Sequence, residues 1–356
     1  RNGKPTLIIG HCVMGKGALK ADGSSYERNC ATHGAPLGGD AYRNTIKNLG
    51  GDPDNAFIIW DEVQEIFNVR REELKAICAE RHAEEAAWAE ANPEKAQQQA
   101  DWFAGRLPEI PWDSIEQKQG EPTRNASSAC LSLLAKTVPN MIVSSADLCN
   151  SDKTDGFIKG GATVITRDNF AGGFLQAGVA ELTMACCCIG MMLHGGVIAA
   201  CGTFFVFSDY MKPAIRMAAL MQIPIKFVWS HDAFRVGEDG PTHHGAYDLA
   251  YLRPVPNITI ASPYDECELR RMMYTAAQPG MGTFVIRYPR GTGSLKDWRC
   301  PLETVEVGKG RRIKSGKDVA FITIGPLGKV MESAVAEAEK HGISVAHYDM
   351  RFLKPI

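Results

Sequence analysis

An apolar run and a polar loop adjoin in the stretch Ile223-Pro-Ile-Lys-Phe-Val-Trp229, Ser230-His-Asp-Ala-Phe-Arg-Val-Gly-Glu-Asp-Gly-Pro-Thr-His-His244. The apolar run is typical of a buried strand. The fifteen residues after it contain three histidines, three acids and two glycines. Open α/β sheets bind ligands in such loops, beyond the carboxyl ends of their strands. The stretch therefore indicates an α/β fold and suggests an enzyme.

Helices and strands alternate from residue 126 onward. Helices are predicted at 126–137, 175–193, 209–221, 247–252 and 267–277, and strands at 140–144, 196–203, 223–229, 258–261 and 284–287. This alternation is typical of a parallel sheet that is covered by helices on both faces. A strand at 319–324, a helix near 328–341 and a strand at 345–349 predict the opening βαβ unit of a second α/β domain.

The first 120 residues follow another pattern. A strand is predicted at 4–10, and helices at 40–49 and 61–81. From about 70 to 105 the sequence is charged and alanine-rich, which is typical of a long surface helix or a connector between domains. Pro93 is expected to break this helix.

The composition narrows the class of protein. The 356 residues are 45% hydrophobic and 22% charged, with a net charge of −2. This balance gives no electrostatic reason to expect binding to nucleic acid or to an anionic membrane surface. No apolar run reaches the length of a membrane span.

Eleven cysteines are scattered without paired metal-ligand spacing. The run Cys186-Cys187-Cys188 is predicted to consist of buried free thiols that fill a helix. A disulfide framework is not expected in a chain of this size, which favours a cytoplasmic location. Both chain ends read as internal sequence, so a segment of a longer polypeptide is expected.

Polar and aromatic side chains collect where the predicted strands end. They lie at 145–151, 203–210, 231–244 and 287–290. A parallel sheet brings these ends to one edge, where arginines suit phosphate and imidazoles suit proton transfer. The set suggests a phosphorylated, hydroxylated substrate. Other interpretations of these residues remain open. His231 could be a core histidine, His243 and His244 a metal-binding pair, and Arg290 part of a surface ion pair.

One of these ends carries a family motif. Gly237-Glu-Asp-Gly-Pro-Thr-His243 resembles the most characteristic motif of the transketolase family, and Thr32-His-Gly-Ala-Pro-Leu-Gly38, Ser145-Ala-Asp-Leu148 and Leu193-His-Gly-Gly196 resemble other parts of it. The resemblance implies a thiamine diphosphate-binding α/β fold. It divides the chain into the tail of the diphosphate-binding domain (1–50), a helical linker (51–120), a pyrimidine-binding domain (121–305) and the start of a C-terminal domain (306–356).

The sequence after residue 245 resembles a related family. His244-Gly-Ala-Tyr-Asp-Leu-Ala-Tyr-Leu-Arg253 and Arg287-Tyr-Pro-Arg-Gly291 are similar to 1-deoxy-D-xylulose-5-phosphate synthases. The chain therefore mixes features of two thiamine diphosphate enzyme families.

The resemblance implies roles for individual residues. Glu181 would hydrogen-bond the cofactor's aminopyrimidine, although its neighbours Ala180 and Leu182 depart from the family pattern. Phe204, Phe207 and Tyr210 would surround the pyrimidine, with Leu148 and Asp147 beside the cofactor. The remaining residues concern the substrate. Its phosphate would be held by Arg124, Ser151, His231 and Arg290, and one of its hydroxyl groups by Asp239. Proton transfer would involve His243, His231 and His33, and His33 would also lie near the cofactor.

The implied reaction is the transfer of a two-carbon ketol unit from a ketose phosphate to an aldose phosphate. The family's Gly-Asp-Gly…Asn element, which binds magnesium and the cofactor diphosphate, is absent from these 356 residues, so the Mg²⁺ ligands are expected upstream. A homodimer with its active site at the subunit interface is also implied. The alternatives are a 1-deoxy-D-xylulose-5-phosphate synthase-like enzyme and a non-catalytic transketolase-like subunit.

Overall fold

The computed structural model describes residues 6–356 except 233, 235, 296 and 298. The chain forms two compact units, Arg1–Ala91 and Asn92–Ile356. Among the described residues, no helix combines the length and the apolar character that a bilayer crossing needs.

The first unit is mainly helical. A short turn of 3₁₀ helix at Cys30–Thr32 precedes α1 (Gly39–Asn48) and α2 (Asp61–Ala91). The helix predicted at 61–81 and the surface helix predicted from about 70 form one helix, α2, which ends at Ala91 beside the predicted break at Pro93. The strand predicted at 4–10 is wrong for the residues described there. Residues 6–10 lie outside regular structure and Leu7 is 82% exposed, because no described strand pairs with this segment.

The second unit is built on a seven-stranded sheet. Its helices are α3 (Pro93–Phe103), α4 (Thr123–Thr137), α5 (Cys149–Asp152), α6 (Asp155–Lys159), α7 (Glu181–His194), α8 (Ser208–Leu220), α9 (Asp248–Leu252) and α10 (Glu266–Ala276). Its strands are β1 (Met141–Ser145), β2 (Phe174–Gln176), β3 (Ile198–Phe204), β4 (Lys226–Ser230), β5 (Ile258–Ala261), β6 (Thr283–Arg287) and, after a second sheet, β10 (Phe352–Lys354).

The strand order is β10-β5-β6-β4-β3-β1-β2, and every pair is parallel except β10 with β5. Apolar clusters cover both faces. One lies around Leu131 and Met272, and the other around Met184 and Ile215. The predicted α/β class, a parallel sheet flanked by helices, is therefore confirmed.

Two details of the sheet differ from the sequence prediction. The segment predicted as one helix at 175–193 begins with the edge strand β2, and α7 starts only at Glu181. The three consecutive cysteines of α7 are not all buried: Cys188 faces the core, whereas Cys186 and Cys187 are exposed. Neighbouring positions on a helix point in different directions, so one run of identical residues cannot fill one face.

Residues 311–349 form a smaller sheet. The strands β7 (Arg311–Lys314), β8 (Val319–Thr323) and β9 (Val345–Asp349) lie in the order β7-β9-β8. The pair β8 and β9 is parallel, and α11 (Leu327–Lys340) connects them. The predicted βαβ unit is therefore present.

The close approach of α6 to α4 depends on glycine. An added Cβ at Gly156 would lie 2.3 Å from the carbonyl oxygen of Ser128. We expect Gly156→Ala to lower the free energy of unfolding by about 1–3 kcal/mol, because the two helices must separate. Gly190→Ala in α7 is the matched control: its Cβ would meet nothing within 4 Å, and helix propensity should stabilise it by up to about 1 kcal/mol. Urea denaturation measures both, and similar effects of the two substitutions would contradict this account of the contact.

Candidate active site at the carboxyl edge of the sheet

His231 follows β4 and lies at the centre of the candidate site. Its imidazole is 2% exposed, stacks on the Phe204 ring at a centroid distance of 3.6 Å, and its Nδ1 lies 2.8 Å from the Ser230 hydroxyl. Burial, followed by the positive charges of Arg124 and Arg290, lowers the pKa of His231 to about 3. The ring is therefore neutral near pH 7, and it contributes hydrogen bonds rather than charge.

Arg124, at the carboxyl edge of the sheet, is a cation that has no acidic partner among the described residues. It lies in the first turn of α4, and its Nη1 donates to the Ser151 carbonyl oxygen at 2.7 Å and lies 3.4 Å from His231 Nε2. Its Nε is buried without a hydrogen-bond partner. Among the residues that the structure describes, no carboxylate lies within 4.0 Å of its guanidinium group. A partly buried cation with a free N–H is a ready anion-binding group.

Arg290 is the fourth residue predicted to hold the substrate phosphate, and its contacts differ from those of Arg124, Ser151 and His231. It forms a two-fold ion pair with Glu238 at 2.8 and 3.1 Å, donates to the Val236 carbonyl oxygen at 2.5 Å, and lies 3.8 Å from Asp239 Oδ2. The pair lowers the pKa of Glu238 to about 2. Gly237 (φ 72°) allows this approach, because a Cβ there would lie 2.6 Å from Arg290 Nη1.

Ser151 contributes to this cluster through its backbone. Its carbonyl oxygen accepts from Arg124, whereas its hydroxyl lies 3.5 Å from Asn150 Oδ1. The structure therefore brings Arg124, Ser151 and His231 together, and the phosphate role of the Ser151 hydroxyl stays a prediction.

The predicted aromatic residues form a row. The ring centroids of Phe204 and Phe207 are 5.8 Å apart and those of Phe207 and Tyr210 6.1 Å apart, with interplanar angles of 11° and 26°. Phe204 is buried between His231 and Phe207, whereas Phe207 is half-buried and Tyr210 is 62% exposed. The side chains of this row that a ligand can reach are therefore Phe207 and Tyr210.

His243 approaches this row from the loop after β4. Its ring lies edge-on to Phe207 at a centroid distance of 5.2 Å, and its Nδ1 is 2.9 Å from the Thr242 hydroxyl. Asp239 ends the preceding 3₁₀ turn, Gly237–Asp239, and its side chain is only partly exposed. The loop therefore presents an imidazole and a carboxylate beside the aromatic row.

The turn after β1 contains a buried acid that sequence reasoning missed. Asp152 accepts hydrogen bonds from the Ser145 hydroxyl at 2.8 Å and from the Thr154 hydroxyl at 2.7 Å, and burial raises its pKa to about 6. The Ser145 hydroxyl in turn accepts from the Leu148 backbone N–H at 3.3 Å. Asp152 thus fixes the turn that carries Leu148. Its sequence context, Cys-Asn-Ser-Asp, gave no signal of burial.

Asp147 and Glu181 lie on neighbouring elements. Asp147, at φ 62°, accepts from the Gln176 side-chain amide at 3.1 Å. Glu181 is the first residue of α7 and is 8% exposed. No described residue donates a hydrogen bond to its carboxylate. The helix N-terminus favours negative charge there, and the carboxyl group is available for a ligand.

Two predictions concern groups outside this cluster. His33 lies in the first unit, where it is exposed, so its role stays a prediction. Within residues 6–356, apart from the four undescribed positions, no three His, Cys, Asp or Glu side chains meet to hold a metal ion. The described residues therefore do not fit a magnesium site.

Three family models match the chain. They are the transketolase thiamine diphosphate binding domain over residues 1–108, the transketolase pyrimidine binding domain over 120–294, and the transketolase C-terminal domain over 308–356. The candidate site falls within the pyrimidine binding match.

Sequence relatives carry two names. The transketolase of Treponema pallidum is 34% identical over 359 residues, which cover 95% of this chain and 51% of the relative. The 1-deoxy-D-xylulose-5-phosphate synthase of Bacteroides fragilis is 54% identical over 172 residues, which cover 47% of this chain and 26% of the relative. The chain thus spans about half the length of the first relative and matches about a quarter of the second.

Solved structures give the same fold. A Pichia stipitis transketolase complex with sedoheptulose-7-phosphate has a TM-score of 0.78 and 25% identity, and the match covers 96% of this chain and 51% of that one. A structure described as a split gene transketolase, inactive β4 tetramer, has a TM-score of 0.55 and 29% identity. That match covers 67% of this chain and 73% of the other.

The buried, neutral His231 predicts a loss of stability in acid. Its pKa is about 3 in the fold and about 6.5 in an unfolded chain, so between these values only the unfolded state gains a proton. The contribution is therefore fully present above pH 6.5 and is lost as the pH falls toward 3. His231→Asn, which tolerates the positive φ, removes this term. Between pH 6.5 and 4.5 the difference in unfolding free energy between wild type and variant should fall by about 1 kcal/mol per pH unit.

Urea denaturation at several pH values measures this difference. His341→Asn, at the exposed end of α11, controls for the loss of a surface imidazole. A wild-type-to-His231→Asn difference that stays constant from pH 6.5 to 4.5 would show that His231 titrates alike in both states.

Proposed function

We propose that this chain, which belongs to the transketolase family, binds the pyrimidine half of thiamine diphosphate and the phosphate of a sugar substrate. In this proposal it supports transfer of a two-carbon ketol unit from a ketose phosphate to an aldose phosphate. The observation that carries the proposal is the unpaired Arg124 guanidinium, which lies beside His231 and the aromatic row at one sheet edge.

The chemistry of Arg124 supports a phosphate ligand. The charges of two other described arginines at the carboxyl edge of the sheet are neutralised by ion pairs. Arg287 pairs with Asp232 at 2.8 Å, and Arg290 pairs with Glu238. Arg124 keeps its positive charge without an acidic partner, and its Nε lacks an acceptor. A phosphate oxygen satisfies both needs, while the neutral His231 Nε2, at 3.4 Å from Arg124 Nη1, accepts from the guanidinium group and orients it.

The aromatic row supports a flat heteroaromatic ligand. The accessible aromatic side chains of Phe207 and Tyr210 suit a pyrimidine ring, and Glu181 provides a buried carboxyl group at the start of α7. These residues fit the pyrimidine half of thiamine diphosphate. When bound, that cofactor supplies a nucleophilic carbon and an electron sink.

The chain's own residues then bind, orient and move protons. Glu181 would hydrogen-bond a ring nitrogen of the pyrimidine, and Leu148 and Asp147 would lie beside the cofactor. Phe204 packs against the Phe207 ring. Asp239 accepts a substrate hydroxyl, and His243, whose ring contacts Phe207, exchanges protons with substrate oxygens. A proton-handling role of His33 is an expectation from the family resemblance. Magnesium ligands, homodimer formation and a cytoplasmic location complete it as expectations from the family.

A second function is supported by one comparison. The identity of 54% over 172 residues to a 1-deoxy-D-xylulose-5-phosphate synthase exceeds the identity to any transketolase compared above. Such an enzyme would use the same pyrimidine and phosphate contacts but would accept pyruvate as donor. Incubation with pyruvate and glyceraldehyde phosphate separates the two functions, because only the synthase reaction releases carbon dioxide.

A third possibility is a subunit that lacks activity alone. It is supported by the likeness to the inactive tetramer of a split gene transketolase and by Ala180 and Leu182, the neighbours of Glu181 that depart from the family pattern. Calorimetric titration of the complete protein with thiamine diphosphate and Mg²⁺ tests it: clear saturable binding would rule this possibility out.

Glu181 provides the first test of the proposed cofactor contact. Glu181→Gln keeps the shape of the side chain but removes the carboxyl proton exchange, so sugar transfer should fall by about 10²-fold or more while the fold persists. Glu337→Gln, an exposed carboxyl on α11, is the control and should leave transfer unchanged. Transfer is measured from a ketose phosphate to an aldose phosphate, and full activity of Glu181→Gln would refute the assignment.

Arg124 provides the second test. Arg124→Gln removes a charge-assisted contact worth about 1.5–3 kcal/mol, so KM for a phosphorylated substrate should rise by about 10- to 100-fold. The same variant should change KM for an unphosphorylated sugar little, since no phosphate contact is lost. Arg312→Gln on β7, an exposed arginine, controls for the loss of positive charge. Equal effects on both substrates would place Arg124 in a purely structural role.

A further inference from the structure

A cavity lies at the amino edge of the seven-stranded sheet, opposite the edge that carries the candidate active site. Its volume is about 460 Å³, which falls within the usual range for a small-molecule site. Its walls come from the C-terminal parts of α3, α4 and α10 and from the first residues of β1, β3 and β4. None of the residues assigned to the candidate active site lines it, so a ligand bound here would be separate from the proposed sugar chemistry.

Most of the side chains that line this cavity are apolar. They belong to, or pack against, the apolar cluster between the sheet and the helices α4 and α10. Examples are Leu131, Leu134, Met141, Ile198, Val228 and Met273. A ligand that fits this cavity must therefore present an apolar body.

Lys226, the first residue of β4, brings an amine into this apolar wall. Side chains alternate between the two faces of a strand, and Lys226 shares its face with Val228, which belongs to the cluster around Leu131. Phe227 and Trp229 lie in the cluster on the other face. Lys226 therefore occupies a position on a central strand where packing alone would favour an apolar side chain.

The contacts of Lys226 use only part of its hydrogen-bonding capacity. Its Nζ donates to the carbonyl oxygens of Met281 and Gly282, at 3.1 and 3.2 Å. An ammonium group has three donors, so one N–H remains for a further acceptor. Among the described residues no acid lies near enough to counter burial, which lowers the pKa of Lys226 to about 7. The protonated amine would therefore be stabilised by a negatively charged ligand.

Arg106 is the other charged residue of the lining, and its charge is already balanced. It is exposed, and its Nε donates to the Asp101 carboxylate at 2.8 Å. The cavity thus offers a ligand one N–H donor and one unbalanced positive charge, both on Lys226. A carboxylate suits this arrangement. A phosphate would bring a second negative charge into a largely apolar wall, at a higher cost in desolvation.

We propose that this cavity binds a small carboxylate with an apolar body, such as a medium-chain fatty acid, whose carboxylate accepts a hydrogen bond from Lys226 Nζ. The apolar part of the ligand lies against the side chains around Leu131, Met141 and Met273. The site does not depend on the proposed function, because it shares no residue with the candidate active site.

Calorimetric titration with octanoate and with 1-octanol tests the proposal, because the two molecules share an apolar chain and only octanoate is charged. The wild-type chain should bind octanoate saturably at one site at pH 6. Lys226→Met should weaken octanoate binding by about 10-fold or more, because a charge-assisted contact is lost, and should change octanol binding by less than about threefold. Lys340→Met, at the exposed end of α11, is the matched control and should leave the binding of both molecules unchanged.

The pH dependence of octanoate affinity is a second test, which needs no variant. Octanoate stays ionised between pH 6 and 8, whereas Lys226 loses its proton around a pKa of about 7. The dissociation constant for octanoate should therefore rise by about 10-fold over this range, whereas a lysine with the ordinary pKa of about 10.4 would give no change. The proposal would be overturned by a lack of saturable octanoate binding, by an octanoate affinity that Lys226→Met leaves unchanged, or by equal affinities at pH 6 and pH 8.

Discussion

The carboxyl ends of the central parallel strands impose the constraint on which this site depends. Strands β1 and β4 both end in a buried serine, Ser145 and Ser230, whose hydroxyl bonds a side chain in the following turn: Asp152 after β1 and His231 after β4. Soon after each serine a non-glycine residue adopts a left-handed conformation, Asp147 at φ 62° and His231 at φ 57°. Such backbone costs about 1 kcal/mol or more at each position and persists only where surrounding contacts enforce it. The sheet thus sets sharp turns where the candidate ligands would bind.

The turns after these strands bring arginines and acidic side chains together at the carboxyl edge of the sheet. Of the arginines that the structure describes at this edge, Arg287 pairs with the buried Asp232 and Arg290 with Glu238 in the loop. The unpaired guanidinium of Arg124 remains, and its charge, together with burial, keeps the His231 ring neutral. Arg124 is a partly buried cation without a described acidic partner, and removing such a charge from water is costly unless it is paired. An anion bound there would offset this cost, which is why we propose a phosphate ligand for Arg124.

Much of the fold could be predicted from sequence because apolar runs and their spacing are local. The strands at 258–261 and 345–349 have the predicted bounds. The strand expected at 4–10 failed, since a strand needs a hydrogen-bonding neighbour that local sequence does not specify. The edge strand β10 was missed for the same reason: it pairs antiparallel with β5, more than ninety residues earlier. Tertiary pairing, rather than local preference, determined both.

The residues of the candidate site could be predicted where a family motif contains them. They could not be predicted where their properties depend on a contact with a neighbouring side chain. His231, Phe207 and Arg124 were proposed from motifs, and the structure gathers them. Arg290 was grouped with them on the same basis, yet its pairing with Glu238 gives it a different electrostatic state. Asp152 was not anticipated, because burial creates its raised pKa and local sequence does not show burial.

The two candidate reactions share the features that this edge displays. A transketolase and a 1-deoxy-D-xylulose-5-phosphate synthase would each bind a phosphorylated sugar and a pyrimidine ring, so Arg124, Phe207 and Glu181 suit both. The reactions differ in the donor, a ketose phosphate or pyruvate, and hence in the groups that receive the donor's hydroxyls. Asp239 and His243 occupy that position in the proposed site. A ketose donor presents hydroxyl hydrogens that Asp239 can accept, whereas pyruvate presents a carboxylate that the Asp239 carboxylate would repel. In the proposed function Asp239 would therefore bind a hydroxyl of a sugar donor, and the pyruvate assay distinguishes the two reactions.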